Sequence, residues 1–396
     1  MTPLGHGEYL STRRFPALDG LRAIAVLLVF TAHPADRTLW APLHGSTGVT
    51  LFFVLSGFLI TTLLLREEAR YGRVSFRGFY LRRLFRIYPM YFAVLALYCV
   101  LILGLGFQAD RRNAFVDNVP WMVLLVPEHA MFAAPAGVQV PFNGSWSIGI
   151  EEKFYLVWPL LAFLALTRFR RGRLPVAAGL AAVLLVVSLV DPGLGFVNPY
   201  VHLLLGVLVA LLLHAPEHYR RLSWLGRPPV LLVAGVVVLA AQLSTDRIEL
   251  GAGNLYGLHG VLLALLLAGL VTTRTRAIAW LSSRPMVHLG ALSYVLYLIH
   301  NFFLNAAEAV LPSGWGAPGS LLSTSVGIAA AVGVAHLLHR FYEEPARRLG
   351  VRLSRRIARG PAVAGGPATL APLAPGADDG GASTEGEPSR AQRATS

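Results

Sequence analysis

The sequence predicts an all-α membrane protein, a polytopic bundle of about ten transmembrane helices with both termini in the cytoplasm. Its 396 residues are 55% hydrophobic and 14% charged, whereas soluble globular chains carry about 25% charged residues. Apolar stretches long enough to cross a bilayer alternate along the chain with short arginine-rich segments. Because the apolar residues run on continuously instead of alternating singly, helices are favoured over an outer-membrane barrel.

Runs of about 17–25 apolar residues predict the individual helices. Ten such runs lie at 17–35, 46–65, 84–106, 146–167, 174–191, 197–214, 229–244, 254–272, 286–308 and 320–341. A further apolar patch at 119–140 is broken by four prolines and is predicted to be an interfacial loop. The domain organisation that follows is a cytoplasmic N-terminus at 1–14, a membrane domain at 15–350 and a disordered cytoplasmic tail at 351–396.

The positive charge predicts the orientation. The net charge is +13, and every basic residue except Lys153 is an arginine. With the N-terminus inside, the inner segments up to Arg359 hold 26 arginines and the outer loops hold four. The positive-inside rule therefore predicts that both termini are cytoplasmic, and the composition is typical of a bacterial inner-membrane protein. Because the arginines flank apolar segments, they fit a membrane surface better than a nucleic acid.

Cysteine and histidine usage predicts neither a disulfide framework nor a metal site. Cys99 is the single cysteine, and the histidines show no metal-ligand spacing. The sequence also lacks a Gly-rich phosphate loop, so we expect no bound cofactor.

The first predicted helix carries Arg22 and His33 on one face. Eleven steps of about 100° bring them into register, about 16 Å apart along the axis. Asp19 precedes Arg22 by three residues and is expected to pair with it. Ionisable groups in a spanning helix cost about 2.5–3.5 kcal/mol each, which indicates a functional site. The alternative is an interfacial ion pair and a histidine at the helix end, just before Pro34.

Two further predicted helices carry polar stripes. The fourth has Ser147, Glu151, Tyr155 and Trp158 on one face, and the ninth has Ser293, Tyr297 and His300. The predicted topology puts Glu151 and His300 in the outer half of the bundle, as it does His33. The alternatives are an interfacial charge cluster and ordinary interhelical hydrogen bonds, typically worth about 0.6 kcal/mol.

Arg83 and Arg86 lie one turn apart where the third predicted helix begins on the cytoplasmic side. Exposed N–H groups and guanidinium groups at such a helix start can hold phosphates. The alternative is that the two arginines only set the topology.

Six segments together resemble the acyltransferase 3 family of integral membrane O-acyltransferases. They are Leu18–Val26 continuing to His33, Gly48–Leu59, Arg82–Pro89, Trp146–Tyr155, Leu289–His300 and Tyr342–Pro345. They occur in the family's order across residues 15–350. The departures are Ile148-Gly149 in place of the commoner Leu-polar pair, and the lack of the C-terminal esterase-like domain of some polysaccharide acyltransferases. The second departure favours a stand-alone enzyme of the macrolide or simple-glycan type.

The resemblance implies an enzyme that moves an acyl group, with acetyl expected, from acyl-CoA as co-substrate to a hydroxyl of a glycan or macrolide acceptor. The family's Arg and His motif falls on Arg22 and His33, its cytoplasmic Arg-x-x-Arg motif on Arg83 and Arg86, and its Trp-Ser…Glu motif on Trp146, Ser147 and Glu151.

Roles for these residues follow as hypotheses. His33 is the general base, Arg22 lines a channel, and Glu151 orients His33 or pairs with its charge. The residues expected to bind acyl-CoA or acceptor are Arg83, Arg86, Trp146, Ser147, Tyr297 and His300. A transporter or lipid-linked glycan translocase is the alternative from another functional class, since intramembrane charges suit it too. A non-catalytic membrane partner is a third, disfavoured by the Arg22 and His33 pair.

Overall fold

The structure is a computed structural model that describes residues 3–12, 14–34, 39–132, 140–244, 252–311 and 315–359. Over these residues the chain is helical and forms no strand. The α-helices are α1 (His6–Ser11), α2 (Pro16–Thr31), α3 (Thr47–Tyr71), α4 (Phe76–Cys99), α5 (Arg112–Val123), α6 (His129–Phe132), α7 (Trp146–Leu160), α8 (Arg173–Val190), α9 (Asn198–His214), α10 (Pro216–Leu222), α11 (Pro228–Leu243), α12 (Ala252–Thr272), α13 (Arg284–Val310), α14 (Gly316–Leu338) and α15 (Glu344–Arg359).

Each of the ten predicted apolar segments coincides with a helix, which confirms the all-helical, multi-pass class. Within the described residues, five helices are long and apolar enough to cross a membrane: Ala41–Tyr71, Phe76–Gly104, Arg170–Val190, Arg284–Val310 and Gly316–Ile357. A sixth span results if the bent pair Asn198–His214 and Pro216–Gly226 is counted as one. Others, such as α2 with 16 residues, are shorter. The number of crossing helices therefore stays a prediction.

The segments predicted to be cytoplasmic meet at one end of the bundle. The N-terminal segment reaches the end of α12, where the Leu4 N–H donates to the Thr272 carbonyl at 2.8 Å. The start of α8 pairs with the end of α3 through Arg173 and Glu68 at 2.6 Å, and α15 lies against the first turns of α4. This end carries residues 3–12, 66–82, 168–173, 215–227, 272–284 and 340–359, and we call it the arginine-rich end.

Glycines let two helix pairs cross closely. A Cβ added at Gly57 of α3 would lie 1.9 Å from the Leu203 carbonyl oxygen of α9. A Cβ added at Gly290 of α13 would lie 1.9 Å from the Asp19 carbonyl oxygen of α2. Small residues permit such backbone approach in membrane bundles. The second crossing brings the polar faces of α2 and α13 together, and this contact positions the site described below.

Two local predictions about helix boundaries are wrong. Helix α4 begins at Phe76 instead of near residue 84, because the Ser75 hydroxyl caps it by accepting from the Gly78 N–H at 3.3 Å. The patch at 119–140 is not simply a loop, since α5 runs through Pro120 to Val123 and α6 follows. Proline costs one backbone hydrogen bond there, and the helix continues for only one more turn. Residues 133–139 lie outside the described part.

A fifteenth helix extends into the predicted tail. Helix α15 continues to Arg359, so the predicted boundary at 351 falls inside a helix. Its Gly350 packs on the Phe85 side chain of α4, where an added Cβ would come within 2.4 Å. The sequence shows no apolar run here, because arginines occupy most of the turns and only a narrow face is packed. The rest of the predicted tail, 360–396, lies outside the described residues.

Candidate active site

The polar side chains of α2 face α13, as their spacing predicts. Arg22 Nε donates to Ser293 Oγ at 3.2 Å, and the His33 ring lies 4.7 Å from the His300 ring, centroid to centroid. Asp19 accepts a hydrogen bond from Arg14 at 2.9 Å, so its predicted pairing with Arg22 is limited to an electrostatic interaction without a hydrogen bond. Arg14 lies before the first residue of α2, and its side chain reaches the first turn of the helix. Arg22 instead points toward the crossing with α13.

The two histidines share one geometry. His33 Nδ1 lies 2.8 Å from the Val29 carbonyl oxygen, and His300 Nδ1 lies 2.6 Å from the Tyr297 carbonyl oxygen. A carbonyl oxygen only accepts, so Nδ1 carries the proton in each ring, and in the neutral ring Nε2 then carries the lone pair. His300 is 1% exposed, and its Nε2 has no hydrogen-bond partner in the described part of the chain. Two basic nitrogens therefore belong to rings in direct contact.

Tyr297 and Ser147 continue the polar groups inward from the histidines. Ser147 Oγ donates to Tyr297 Oη at 2.7 Å, which joins α7 to α13. The Tyr297 ring also lies 5.6 Å from the His300 ring. Trp146 packs edge-on against Phe53 of α3 at 6.0 Å, next to this contact. Three of the six residues that the sequence expects to bind acyl-CoA or acceptor are thus brought together, namely Ser147, Tyr297 and His300.

Glu151 lies one turn further along α7 and is held on both oxygens. Ser56 Oγ donates to Glu151 Oε1 at 2.8 Å, and Tyr155 Oη donates to Glu151 Oε2 at 2.7 Å. The charges of Arg22 and Arg83 also act on this carboxylate. Glu151 is therefore built into a network of hydroxyls and guanidinium groups from four helices. The ring that packs on His33 belongs to His300.

Arg83 and Arg86 lie within α4 and not at its start. Seven residues precede Arg83 in the helix, so the N–H groups of the first turn cannot share a ligand with these two side chains, and that part of the prediction is wrong. The Arg83 guanidinium lies over the Tyr155 ring, 4.8 Å from its centroid. Arg86 interacts electrostatically with Arg83 and with Glu343, just before α15. The two arginines lie between the Glu151 network and the arginine-rich end.

The predicted site residues form a row through the bundle. It runs from the two histidines, through the Tyr297 and Ser147 pair, to Glu151 and its partners, and ends at Arg83. Lone-pair nitrogens at one end suit the removal of a proton from a hydroxyl. Guanidinium groups at the other end suit phosphates. Within the described ranges, no group of three or more His, Cys, Asp or Glu side chains is arranged to hold a metal ion.

Sequence analysis missed two contributors to the site. The sequence assigns Ser56 no role, yet its hydroxyl anchors Glu151. A hydroxyl inside an apolar helix is itself a signal, since membrane helices use such groups for interhelical hydrogen bonds. Gly144 packs so closely on His300 that an added Cβ would lie 3.2 Å from Cε1. No pattern in the sequence marks this contact, because it joins residues far apart in the chain.

Comparison with known proteins gives one family. The family model described as an acyltransferase domain matches residues 15–340. The peptidoglycan O-acetyltransferase of Listeria monocytogenes is 29% identical over 371 residues, which cover 86% of this chain and 57% of the relative. A putative peptidoglycan O-acetyltransferase of Bacillus subtilis is 29% identical over 382 residues, covering 87% of this chain and 57% of the relative.

An O-acetyltransferase of Staphylococcus aureus is 35% identical over 202 residues, which are 48% of this chain and 31% of the relative. The chain thus spans little more than half the length of the first two relatives. No solved structure matches it.

Proposed function

The chain belongs to the acyltransferase 3 family of membrane O-acyltransferases, and we propose that it transfers an acyl group, acetyl in the simplest case, from acyl-CoA to a hydroxyl of a cell-envelope glycan. The observation that carries this proposal is the contact between His33 and His300 at the end of a polar row that leads to Arg83. Acyl transfer requires a base for the acceptor hydroxyl and a group that binds the phosphates of acyl-CoA. Here polar side chains connect the histidines to Arg83.

In this mechanism His33 Nε2 removes the proton from the acceptor hydroxyl as its oxygen attacks the thioester carbonyl of acyl-CoA. The C–S bond then breaks, the acyl group stays on the acceptor oxygen, and the CoA thiolate leaves and takes up the proton. The Val29 carbonyl, which accepts from His33 Nδ1, holds the ring orientation and stabilises its protonated form. His300 Nε2, the second lone pair, accepts a hydrogen bond from the acceptor and orients it.

Glu151 acts as a positioning residue. Its carboxylate balances the positive charge of Arg22 and Arg83, and Ser56 and Tyr155 hold it in place. An unbalanced charge inside the bundle would be costly. This role replaces the direct orientation of His33 by Glu151 that the sequence suggested, because both carboxylate oxygens are engaged elsewhere.

The acceptor proposal rests on the relatives. One is described as a peptidoglycan O-acetyltransferase and another as a putative one, so a glycan is favoured, and nothing supports the macrolide alternative. Labelled acetyl-CoA tests the activity directly: membranes containing the chain, incubated with cell-wall glycan, should transfer label to the glycan as a base-labile ester. A transporter or translocase would transfer none, and membranes with the empty vector set the background.

We propose the N-in, C-in orientation for this mechanism, since acyl-CoA is cytoplasmic. Cys99 is the single cysteine, so single-cysteine variants can be made on a Cys99→Ala background. The exposed residues Asp110 and Arg171 are suitable sites. A membrane-impermeant maleimide added to intact cells should label Asp110→Cys and spare Arg171→Cys. The reverse pattern would invert the sidedness of the mechanism.

Arg83 and Arg86 are proposed to hold the CoA phosphates through their guanidinium groups. Arg83→Ala and Arg86→Ala should raise the KM for acyl-CoA about tenfold or more and leave the KM for the acceptor within about twofold, by the loss of a charge-assisted hydrogen bond. Lysine should restore the donor KM only in part, because it keeps the positive charge but cannot make the two parallel hydrogen bonds that a guanidinium group makes to a phosphate. Arg77→Ala, an exposed arginine of the same helix, is the matched control, and an unchanged donor KM in all variants would remove the two arginines from the site.

A further inference from the structure

A groove of about 570 Å³ runs along the surface where α14 passes into α15 at the arginine-rich end. Its lining in the described part of the chain comes from one continuous helical segment, Gly316–Ile357. Five of the lining residues are His336, Arg340, Glu344, Arg348 and Arg352. They recur every four residues and so follow one side of the helix.

The groove carries an excess of positive charge. Glu344 is its one acidic side chain, and that carboxylate already accepts from Arg348 and from the neighbouring Arg347, both at 2.7 Å. Arg340 and Arg352 form no ion pair with any described residue. Guanidinium groups spaced along a groove match the oxygens of phosphate groups. The groove therefore favours an anionic ligand.

The proposed active site does not use these side chains. A different face of α15 packs on α4, through Gly350 against Phe85 and through the Ser354 hydroxyl, which accepts from Arg82 at 3.4 Å. Arg340, Arg348 and Arg352 are exposed, on the side turned away from the bundle. They line a surface that is separate from the polar row.

The groove continues an exposed apolar strip on α14. Val326, Val334 and Leu337 are exposed on this helix, and Phe341, which is 69% exposed, follows directly after Arg340 in the chain. On a membrane-spanning helix such a strip faces lipid chains. Along one helix the surface thus changes from apolar to cationic, which is the order of tail and headgroup in an anionic lipid. A water-soluble phosphate compound would use only the cationic half.

We propose that this groove binds the headgroup of an anionic phospholipid whose acyl chains lie along the exposed face of α14. Basic clusters directly next to a transmembrane helix attract anionic headgroups, with about a fivefold gain in affinity for each Lys or Arg near the surface. The three arginines of the groove place this attraction at one position on the protein surface.

The test compares spin-labelled phosphatidylglycerol with spin-labelled phosphatidylcholine in phosphatidylcholine vesicles that contain the full chain. The fraction of motionally restricted label gives the relative association constant of the two lipids. We expect phosphatidylglycerol to be preferred, and the triple variant Arg340→Gln, Arg348→Gln, Arg352→Gln to remove that preference. The matched control is Arg220→Gln, Arg221→Gln, Arg227→Gln, which takes the same charge from exposed positions at the same end and should keep the preference within about twofold.

A second variant changes the affinity in the opposite direction. Glu344→Gln removes the one negative charge of the groove and should raise the preference for phosphatidylglycerol up to about fivefold. This variant decides the matter if the triple variant fails to insert. The proposal is overturned if both triple variants lose the preference equally, which would indicate diffuse attraction. It is also overturned if Glu344→Gln has no effect, or if excess inorganic phosphate or CoA displaces the lipid.

Discussion

Replacing His33 with alanine should slow acyl transfer about 10²–10⁴-fold, the usual cost of losing a general base. The variant should still insert and fold, because His33 is only half-buried and lies at the end of α2. Turnover of labelled acetyl-CoA into glycan ester, measured at saturating donor and normalised to the inserted protein, checks the prediction. The matched control is His288→Ala, which removes an exposed histidine from α13 whose ring nitrogen contacts His336.

The neighbouring histidine sharpens this experiment. If His33 removes the proton of the attacking hydroxyl and His300 holds the same acceptor molecule through another of its hydroxyls, the two alanine substitutions should be far from additive, and the double variant should fall little below His33→Ala alone. Additive losses would indicate that His300 acts elsewhere. Wild-type turnover in an inserted His33→Ala protein would remove His33 from the catalytic set and make it an interfacial residue.

Sequence patterns predicted the helices and faces that depend on a single segment. Length and apolarity are properties of one run of residues, which is why all ten apolar segments coincide with helices. Helical periodicity likewise put Arg22 and His33 on one face and Ser147 and Glu151 on another. Polar residues inside the apolar segments then predicted which side chains meet in the bundle, because it is costly to bury such groups without partners.

Contacts between distant segments could not be predicted in this way. Asp19 had a plausible partner three residues away, but its hydrogen bond comes from Arg14, which precedes the helix. The position of Glu151 depends on Ser56, 95 residues earlier in the chain. Helix α15 has no apolar run, and its packing on α4 follows from the tertiary position of the two segments. In each case the stabilising contact is with a residue outside the segment whose sequence pattern was used for the prediction.

The second large effect that we expect is on the stability of the protein, and it comes from replacing Arg173. From the sequence it is one of the 26 arginines of the predicted inner segments, but the structure buries it to 3% exposure at the start of α8. Its guanidinium donates to Glu68 at 2.6 and 2.9 Å and to the Ala162 carbonyl at 2.6 Å, and it lies 4.4 Å from the centroid of the Phe163 ring. This one side chain ties together α3, α8 and the segment after α7. The helices that carry Ser56 and Glu151 thus depend on it.

Arg173→Met should therefore lower the free energy of unfolding by about 3 kcal/mol, the lower part of the range for breaking a buried ion pair, because it leaves the Glu68 carboxylate buried without its main partner. Arg170, 3.4 Å from Glu68 and more than half exposed, compensates only in part. Unfolding of the full chain by SDS titration in mixed micelles measures the change, with Arg171→Met, at an exposed position beside it, as the matched control. The double variant Glu68→Gln, Arg173→Met should recover most of the loss, since no unpaired charge remains. If the double variant is as unstable as the single one, the effect comes from lost packing on Phe163 and not from the stranded carboxylate.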